Sequence, residues 1–366
     1  MRNITFAGLL IAAIFAGVVH GQTGSTSSIY VVGTCKPNLT SFATITAALA
    51  AVPAPSVVDV CPGIYYEQLA ITQPVTLQGV TNGDSGEVVV AVPSGGLVQN
   101  ATSLTGNWIF AQLAVNNVSG SVNVADITFD ATNGTTSVGD LVGIYYQNSS
   151  GTINRVSTQH QTGGVGFGIW IEGGPSNPSV TLENSAIHEF GNVGIQADAA
   201  GVGNTVTATI KSNSVNTGYT GIYLGSQSNT SSTSNLTVSG NLIVGDYYGI
   251  DIEPGVTGSV SSNTILNSQG AGALMVADGV SLTSNKIFGS GTGILVTTPT
   301  GSAQNNTITQ SQAGIEFNCV SNPNVHSNTI MNVVTGIDKV PGNLTISNTY
   351  FSAGTIRDSS YCAAAR

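Results

Sequence analysis

Charge is scarce in this chain: of 366 residues, 7% are Asp, Glu, Lys or Arg, and only eight are Lys or Arg. No basic stripe exists to neutralise phosphates, which excludes nucleic acid and anionic membrane surfaces as partners. Cysteine is limited to four residues, and neither a CxxC nor a nearby His pair accompanies them, so a Cys-based metal site has little support. The one long apolar run, Ile4 to Val19, is short for a membrane span and lacks a stop-transfer flank. With Arg2 before it and small Gly21 after His20, it reads as an export signal over residues 1–21. The expected mature chain is therefore secreted, extracellular or periplasmic, with no membrane association after cleavage. Loss of Arg2 leaves seven basic residues against 18 acidic ones, a net charge of −11.

In place of charge the chain has 46 Gly and an abundance of Ser, Thr, Asn and Val, a mixture that favours strands and tight turns. Between Gly258 and Thr298 one sentence is written twice, GSVSSNTILNSQGAGALMVA and then GVSLTSNKIFGSGTGILVTT. Each copy is a short alternating strand ending at an Asn (Asn263, Asn285), an apolar residue two places on (Ile265, Ile287), a Gly-rich turn and a second strand. A period of about 22 residues without helical spacing is a solenoid signature, because each coil can bury its apolar side only against its neighbours. The expectation is one elongated all-β domain acting as a monomer: leader and N-terminal cap over 22–56, solenoid over 57–350, and C-terminal cap or tail over 351–366.

Asn213, Asn241, Asn263, Asn285, Asn306, Asn328 and Asn348 recur at nearly this period. Asn tolerates the left-handed turn conformation, and stacked side-chain amides can bond from coil to coil, so a structural ladder is expected. Near the start, Ser41 can cap a short helix in FATITAALAAV that ends at Pro53 and covers the open end of the solenoid. Cys35, Cys61, Cys319 and Cys362 permit three pairings; their near-terminal placement suggests Cys35 with Cys61 and Cys319 with Cys362.

The run FATITAALAAVP, followed by VxVxPGIYYEQLAI and PVTLQG, resembles the opening of the pectin-lyase-like, right-handed parallel β-helix proteins, pectin methylesterases included. That resemblance covers residues 30 to 80 by motif and implies a single-stranded right-handed parallel β-helix with three sheets and a helical N-terminal cap. Catalytic motifs of the wider family are not matched. The only Gly next to a His is Gly21, beside His20, which leaves out a polygalacturonase Gly-His-Gly, and a GTVDFIFG-like segment and an Arg-Pro-Trp are absent too. YYGIDIEPG, Tyr247 to Gly255, is similar to the Tyr-Gly-x-Asp portion of mannuronan epimerases, with Ile252-Glu253 where a Pro-His should follow.

From Gly143 onward each coil can be indexed by an inward apolar residue: Ile144, Ile169, Ile195, Ile222, Ile250, Leu274, Ile294, Ile315 and Ile337. Their spacings of 25, 26, 27, 28, 24, 20, 21 and 22 make the early coils the longer ones. The extra residues lie in GGPSNPSV, AAGVGNTV and GSQSNTSSTSN, which would wall one side of the adjacent sheet. Strand alternation then sends outward a first column containing Tyr145, Trp170, Tyr223, Asp251 and Met275, and a second containing Glu172, Asp198, Glu253 and Ala277. Carboxylates Glu172, Asp198, Asp251 and Glu253 can act as acid and base if crowding raises one pKa, and Tyr145, Trp170 and Tyr223 can serve as sugar platforms.

No cofactor is required by these residues; the four carboxylates are hard oxygen ligands that leave Ca2+ open, without a dedicated loop pattern. His160 and His188, near the turns into two of these strands, are candidates for a general base or a shared metal. The functional expectation is a secreted protein that binds an extracellular polysaccharide along a groove on one sheet. Any processing would be glycosidase-like before lyase, esterase or epimerase. A non-catalytic adhesin or surface-structural protein is the competing class.

Overall fold

A computed structural model describes residues 28–357 apart from 82–86, 137, 164, 227–230, 299, 319–323 and 340–346. The expected export signal lies outside the described residues, as do Cys319 and Cys362. Among the described residues the elements are strands apart from one helix, Ile45–Ala51, and all but one of the pairings between named strands are parallel. Each coil contributes three strands, which stack on their counterparts in the next coil. The first face is built from Trp108–Asn116, Asp140–Gln147, Val165–Gly173, Val193–Ala199, Thr220–Ser226, Tyr248–Ile252, Ala271–Met275, Thr292–Val296 and Ala313–Phe317. A second face runs through Ser179–Glu183, Thr205–Lys211 and Thr233–Ser239, and a third through Ala186–His188, Ser214–Asn216 and Leu242–Val244. This is a single-stranded parallel β-helix.

Alternation explains why such polar sequence forms strands. In Thr205–Lys211, Val206, Ala208 and Ile210 point inward and are buried, while the Thr residues between them face out. Like residues then stack on like: Ile187, Val215, Ile243, Ile265, Ile287, Ile308 and Ile330 form one interior column in register. Each fully buried aliphatic side chain of this kind contributes about 1.5–3 kcal/mol.

The interior column of the first face corrects one expectation. Ile250 pairs with Ala273, and Ala273 with Ile294, so Ala273 and not Leu274 is the inward residue of that coil. Leu274 pairs with Asp251 and Leu295 on the outside, and Met275 and Ala277 are buried rather than outward. Because side chains alternate, a slip of one residue reverses the face of a whole strand.

The asparagine ladder is present. Nδ2 of Asn213, Asn241, Asn263, Asn285, Asn306 and Asn328 each donates to Oδ1 of the next member, at 2.8–3.0 Å. The same oxygen also accepts the main-chain N–H of the preceding Asn, for example Asn263 N to Asn285 Oδ1 at 3.0 Å. From Asn213 to Asn328 the left-handed conformation belongs to the residue before the ladder position, such as Ser212, Ser262, Ser284 and Asn305, and not to the ladder Asn itself. That preceding residue turns the chain, and the amide is thereby delivered to the interior.

The helix starts later than Ser41, which lies in the short strand Ser41–Phe42. Thr44 is the N-cap, its hydroxyl accepting from Ala47 N, and the Glu67 carboxylate receives Ile45 N and Thr46 N. Ile45 and Ala48 seat the helix on the open end of the core. Cys35 and Cys61 form a disulfide beside this cap. No helix among the described residues is long and apolar enough to cross a membrane.

Candidate functional site

On the first face, the outward columns of the early coils come together as expected. Tyr145, Trp170, Gln196, Tyr223 and Asp251 are successive partners in one column. Gln147, Glu172, Asp198 and Gly225 follow one another in the second, and Glu253 continues it with its N–H bonded to Leu224 O at 2.8 Å. Asp198 and Glu253 are thus two coils apart, ~9.6 Å along the axis. Gly225 leaves the space between them open, and the Tyr223 ring occupies it: a Cβ on Gly225 would lie 2.5 Å from that ring.

Not all of this face is accessible. Ala101–Thr102 folds back antiparallel on Trp108–Ile109, and the segment between them lies over the upstream coils. The Glu172 carboxylate holds it there by accepting Leu104 N at 3.0 and 3.1 Å, while also accepting the Tyr145 hydroxyl and Gln147 Nε2 at 2.5 and 2.9 Å. Glu172 and Tyr145 are fully buried, so the structure places them beneath the groove wall rather than at its surface. Trp170 is 3% exposed; Tyr145 meets it edge-on at 5.4 Å, and its Nε1 donates to Asp198 Oδ1 at 2.6 Å.

A groove of about 700 Å³ remains, with Thr105 and Asn107 at one end, Trp170, Asp198 and Tyr223 in its floor, and Asp251 and Glu253 at the far side. None of its lining residues is Lys, Arg or His. Of the three insertions expected to wall it, only Ser226 from the third reaches the lining among the described residues. Gly174 and Thr205, in the first two, bridge to each other at the edge of the second face.

Burial sets the electrostatics. Asp198 is pushed up to about 7 by desolvation first and by the Glu172 charge second. Asp251 is likewise raised to about 7, by desolvation and by Glu253, and Glu253 is itself raised by desolvation. The Tyr223 hydroxyl is raised by burial and then by Glu253, Asp198 and Asp251, the three carboxylates that line the groove with it. Near neutral pH this groove therefore holds carboxyls that can both donate and accept a proton, with no cation to fix their charge.

His160 does not join them. At left-handed φ, it sits between Asp130 at 2.8 Å and Glu189 at 2.7 Å, and strand register sets His188 opposite Gln159 rather than opposite His160. Among the described residues no three His, Cys, Asp or Glu side chains are placed to hold a metal ion.

Two groove-edge residues escaped the strand index. Tyr219 lines the groove, and its ring stacks on Tyr247 at 5.2 Å with 1° between planes; the two are 49% and 39% exposed. Both stand in the turn before the indexed strand, where no alternation marks them. Their signal was local: two Gly-bounded stretches, GYTG and GDYYG, one coil apart.

Residues 199–351 match the family described as right handed beta helix region. No curated protein sequence matches the chain. The lacto-N-biosidase GH136 of Eubacterium ramulus is similar over 90% of this chain and 68% of its own, at 9% identity and TM-score 0.51. XylC, solved with xylose, is similar over 88% and 86%, at 9% identity and TM-score 0.50. The A-module of the Azotobacter vinelandii mannuronan C-5 epimerase AlgE6 is similar over 86% and 93%, at 20% identity and TM-score 0.46. At such identities the likeness is one of fold.

Proposed function

We propose, the chain being a right-handed parallel β-helix protein, that it is secreted and binds an extracellular polysaccharide in the groove between Thr105 and Pro254, where it can cleave a glycosidic bond. The observation that carries this reading is the convergence of Asp198, Asp251 and Glu253 on Tyr223 in a groove floored by Trp170, with Asp198 and Asp251 at about 7. A buried carboxyl without a cation is costly to keep, and one that is half-protonated near neutrality suits proton donation to a leaving oxygen. In this reading Asp198 is the acid, anchored by Trp170 Nε1. Asp251 and Glu253 share a proton, and the ionised member polarises water or steadies positive charge on the sugar ring. Lyase chemistry is disfavoured because proton abstraction beside a uronate carboxylate is usually done by a basic side chain, and the lining has none.

The test is a glycan array followed by a reducing-end assay on wild type and on Asp198→Asn/Asp251→Asn, each with and without calcium. Expected are binding by both proteins and turnover reduced by at least about a hundredfold in the double variant. Binding to no glycan would sink the reading. Binding without turnover, equal in both proteins, would leave a carbohydrate-binding or adhesive surface and remove catalysis.

A further inference from the structure

We propose that the corner entering the first face, from Tyr219 through Tyr247 to Gln312, is a second contact surface that takes an uncharged glycan chain lying along the solenoid axis. The inference rests on the groove reading above and names the class of glycan it would hold.

The corner begins inside the groove, since Tyr219 belongs to both. Its stack with Tyr247 is braced by Tyr248, whose ring stands at 87° to each of the other two, 5.9 and 4.7 Å away. Exposed, parallel and buttressed rings keep their orientation at low entropic cost, which is what a flat sugar face requires. Tyr247 leans over Gly270 of the next coil, where a Cβ would meet its ring at 2.8 Å. The main chain ties these positions coil to coil: Tyr247 N donates to Tyr219 O at 2.9 Å, Gly270 N to Tyr247 O at 2.8 Å, and Gln312 N to Gly291 O at 3.0 Å. Four coil steps separate Tyr219 from Gln312, so the track is ~19 Å long.

Beyond Tyr247 the track widens into a trough of about 650 Å³ lined by Asn267, Gln269, Gln310, Gln312 and Asn332 with Ser and Gly between them. None of its lining residues is charged. The ladder amides from Asn213 to Asn328 bond to the next rung and to main-chain carbonyls, whereas none of these five side-chain amides is hydrogen-bonded within the described residues. Turn geometry accounts for part of that composition, because Asn267, Gln310 and Asn332 have φ of 59°, 56° and 52°. It does not account for Gln269 or Gln312, which have no left-handed φ. Paired donors and acceptors on an uncharged wall match sugar hydroxyls. A uronate or sulfated chain would find no counter-charge along the track and would meet Asp198, Asp251 and Glu253 at its groove end.

The test measures binding by calorimetry of xylo- and cello-oligosaccharides, each as dimer and hexamer, with oligoalginate and oligogalacturonate hexamers as anionic probes. Proteins compared are wild type, Tyr219→Ala/Tyr247→Ala, Tyr219→Phe/Tyr247→Phe, Gln269→Ala/Gln312→Ala and Asp198→Asn/Asp251→Asn. For at least one neutral series, wild type should prefer hexamer to dimer. The tyrosine-to-alanine pair should lose roughly tenfold in hexamer affinity and less in dimer affinity, because Tyr219 also lines the groove, and the glutamine pair should lose a smaller factor in hexamer affinity, with the phenylalanine pair close to wild type. Tighter binding of either anionic hexamer, or hexamer affinity untouched in both alanine pairs, would overturn the inference. If those pairs are silent while the Asp198/Asp251 variant changes affinity or turnover, the corner falls and the groove stands. If no oligosaccharide binds wild type, both fall together.

Discussion

The coils from Asp140 to Pro254 and those from Val256 to Asp338 share one interior, one period of stacking and one asparagine ladder, yet they treat carboxylates differently. In the later coils, Glu316 occupies the same outward column as Asp251 and is paired with Lys339 at 2.5 Å. In the earlier coils, Asp198, Asp251 and Glu253 line a groove without a single basic residue. The later coils also leave their outer face bare, with Leu274 and Leu295 side by side, whereas the earlier ones bury a second apolar cluster of Tyr145, Phe167 and Trp170 on theirs. The difference teaches that the repeat specifies the interior, and that chemistry enters where coils depart from it.

A break in the shared part should reach both regions. Replacing Asn263 by Leu removes the acceptor of Asn241 N and Nδ2 and the donor to Val238 O. The loss should be about 3–6 kcal/mol, seen as a lower thermal midpoint with glycan affinity at 25 °C unchanged. An unaltered midpoint would show that the ladder does not hold the coils together.

The next effect should be confined to the earlier coils. Asp246 is fully buried, accepts Gly218 N at 2.8 Å through one oxygen, and is raised by desolvation to about 7. With Asp198 and Asp251 it makes the native state bind more protons than the unfolded state between about pH 4 and 7, since an unfolded Asp titrates near 3.9. Stability should therefore fall as pH rises through that window and level off above it. Asp130 acts in the opposite sense: burial would raise it, but hydrogen bonds from Thr132 and His160 hold it at about 2, so its contribution is lost only as pH falls from about 4 towards 2. Asp246→Asn should flatten the upper slope and stabilise the protein at pH 8 by on the order of 2–4 kcal/mol, measured by urea unfolding across pH. A slope unchanged in Asp246→Asn would show that this carboxyl is not carried neutral in the core.

Glu172→Ala should cost about 2 kcal/mol and, more tellingly, free the segment around Leu104, which limited proteolysis would cut ahead of the rest of the chain. Smaller still are the changes that check the face assignment. Ala273→Leu should destabilise by about 1–3 kcal/mol through overpacking. Leu274→Thr, on the bare outer face, should stay within about 0.5 kcal/mol and leave glycan binding alone. The reverse order would restore Leu274 to the interior.

Much of this was legible in the chain. The Ile column and the ladder Asn carry the period, and the adjacency of Glu172 and Asp198 follows from it by alternation alone. Ala273 was missed because hydrophobicity favours Leu274, whereas the inward phase is set by the parallel register with Ile250 and Ile294. The covering of Tyr145 and Glu172 leaves no periodic mark, because it is made by an antiparallel fold-back whose Leu104 bonds Glu172 68 residues later in the chain. Tyr219 and Tyr247 lie in turns, where the rule of alternation does not reach.

Ladder geometry has one further consequence, for how such a chain can change length. The step from Asn213 to Asn241 spans 28 residues and that from Asn285 to Asn306 spans 21, yet both close at 3.0 Å. Seven residues can thus be added to a turn without the rung noticing. Each coil behaves as an interchangeable cassette whose admission requires one Asn at the right corner, while the rest of its perimeter is open to insertion. A lineage or a designer could lengthen the groove wall, splice in a coil, or graft a binding loop by editing between rungs, and the backbone would accept the new part without renegotiating the old.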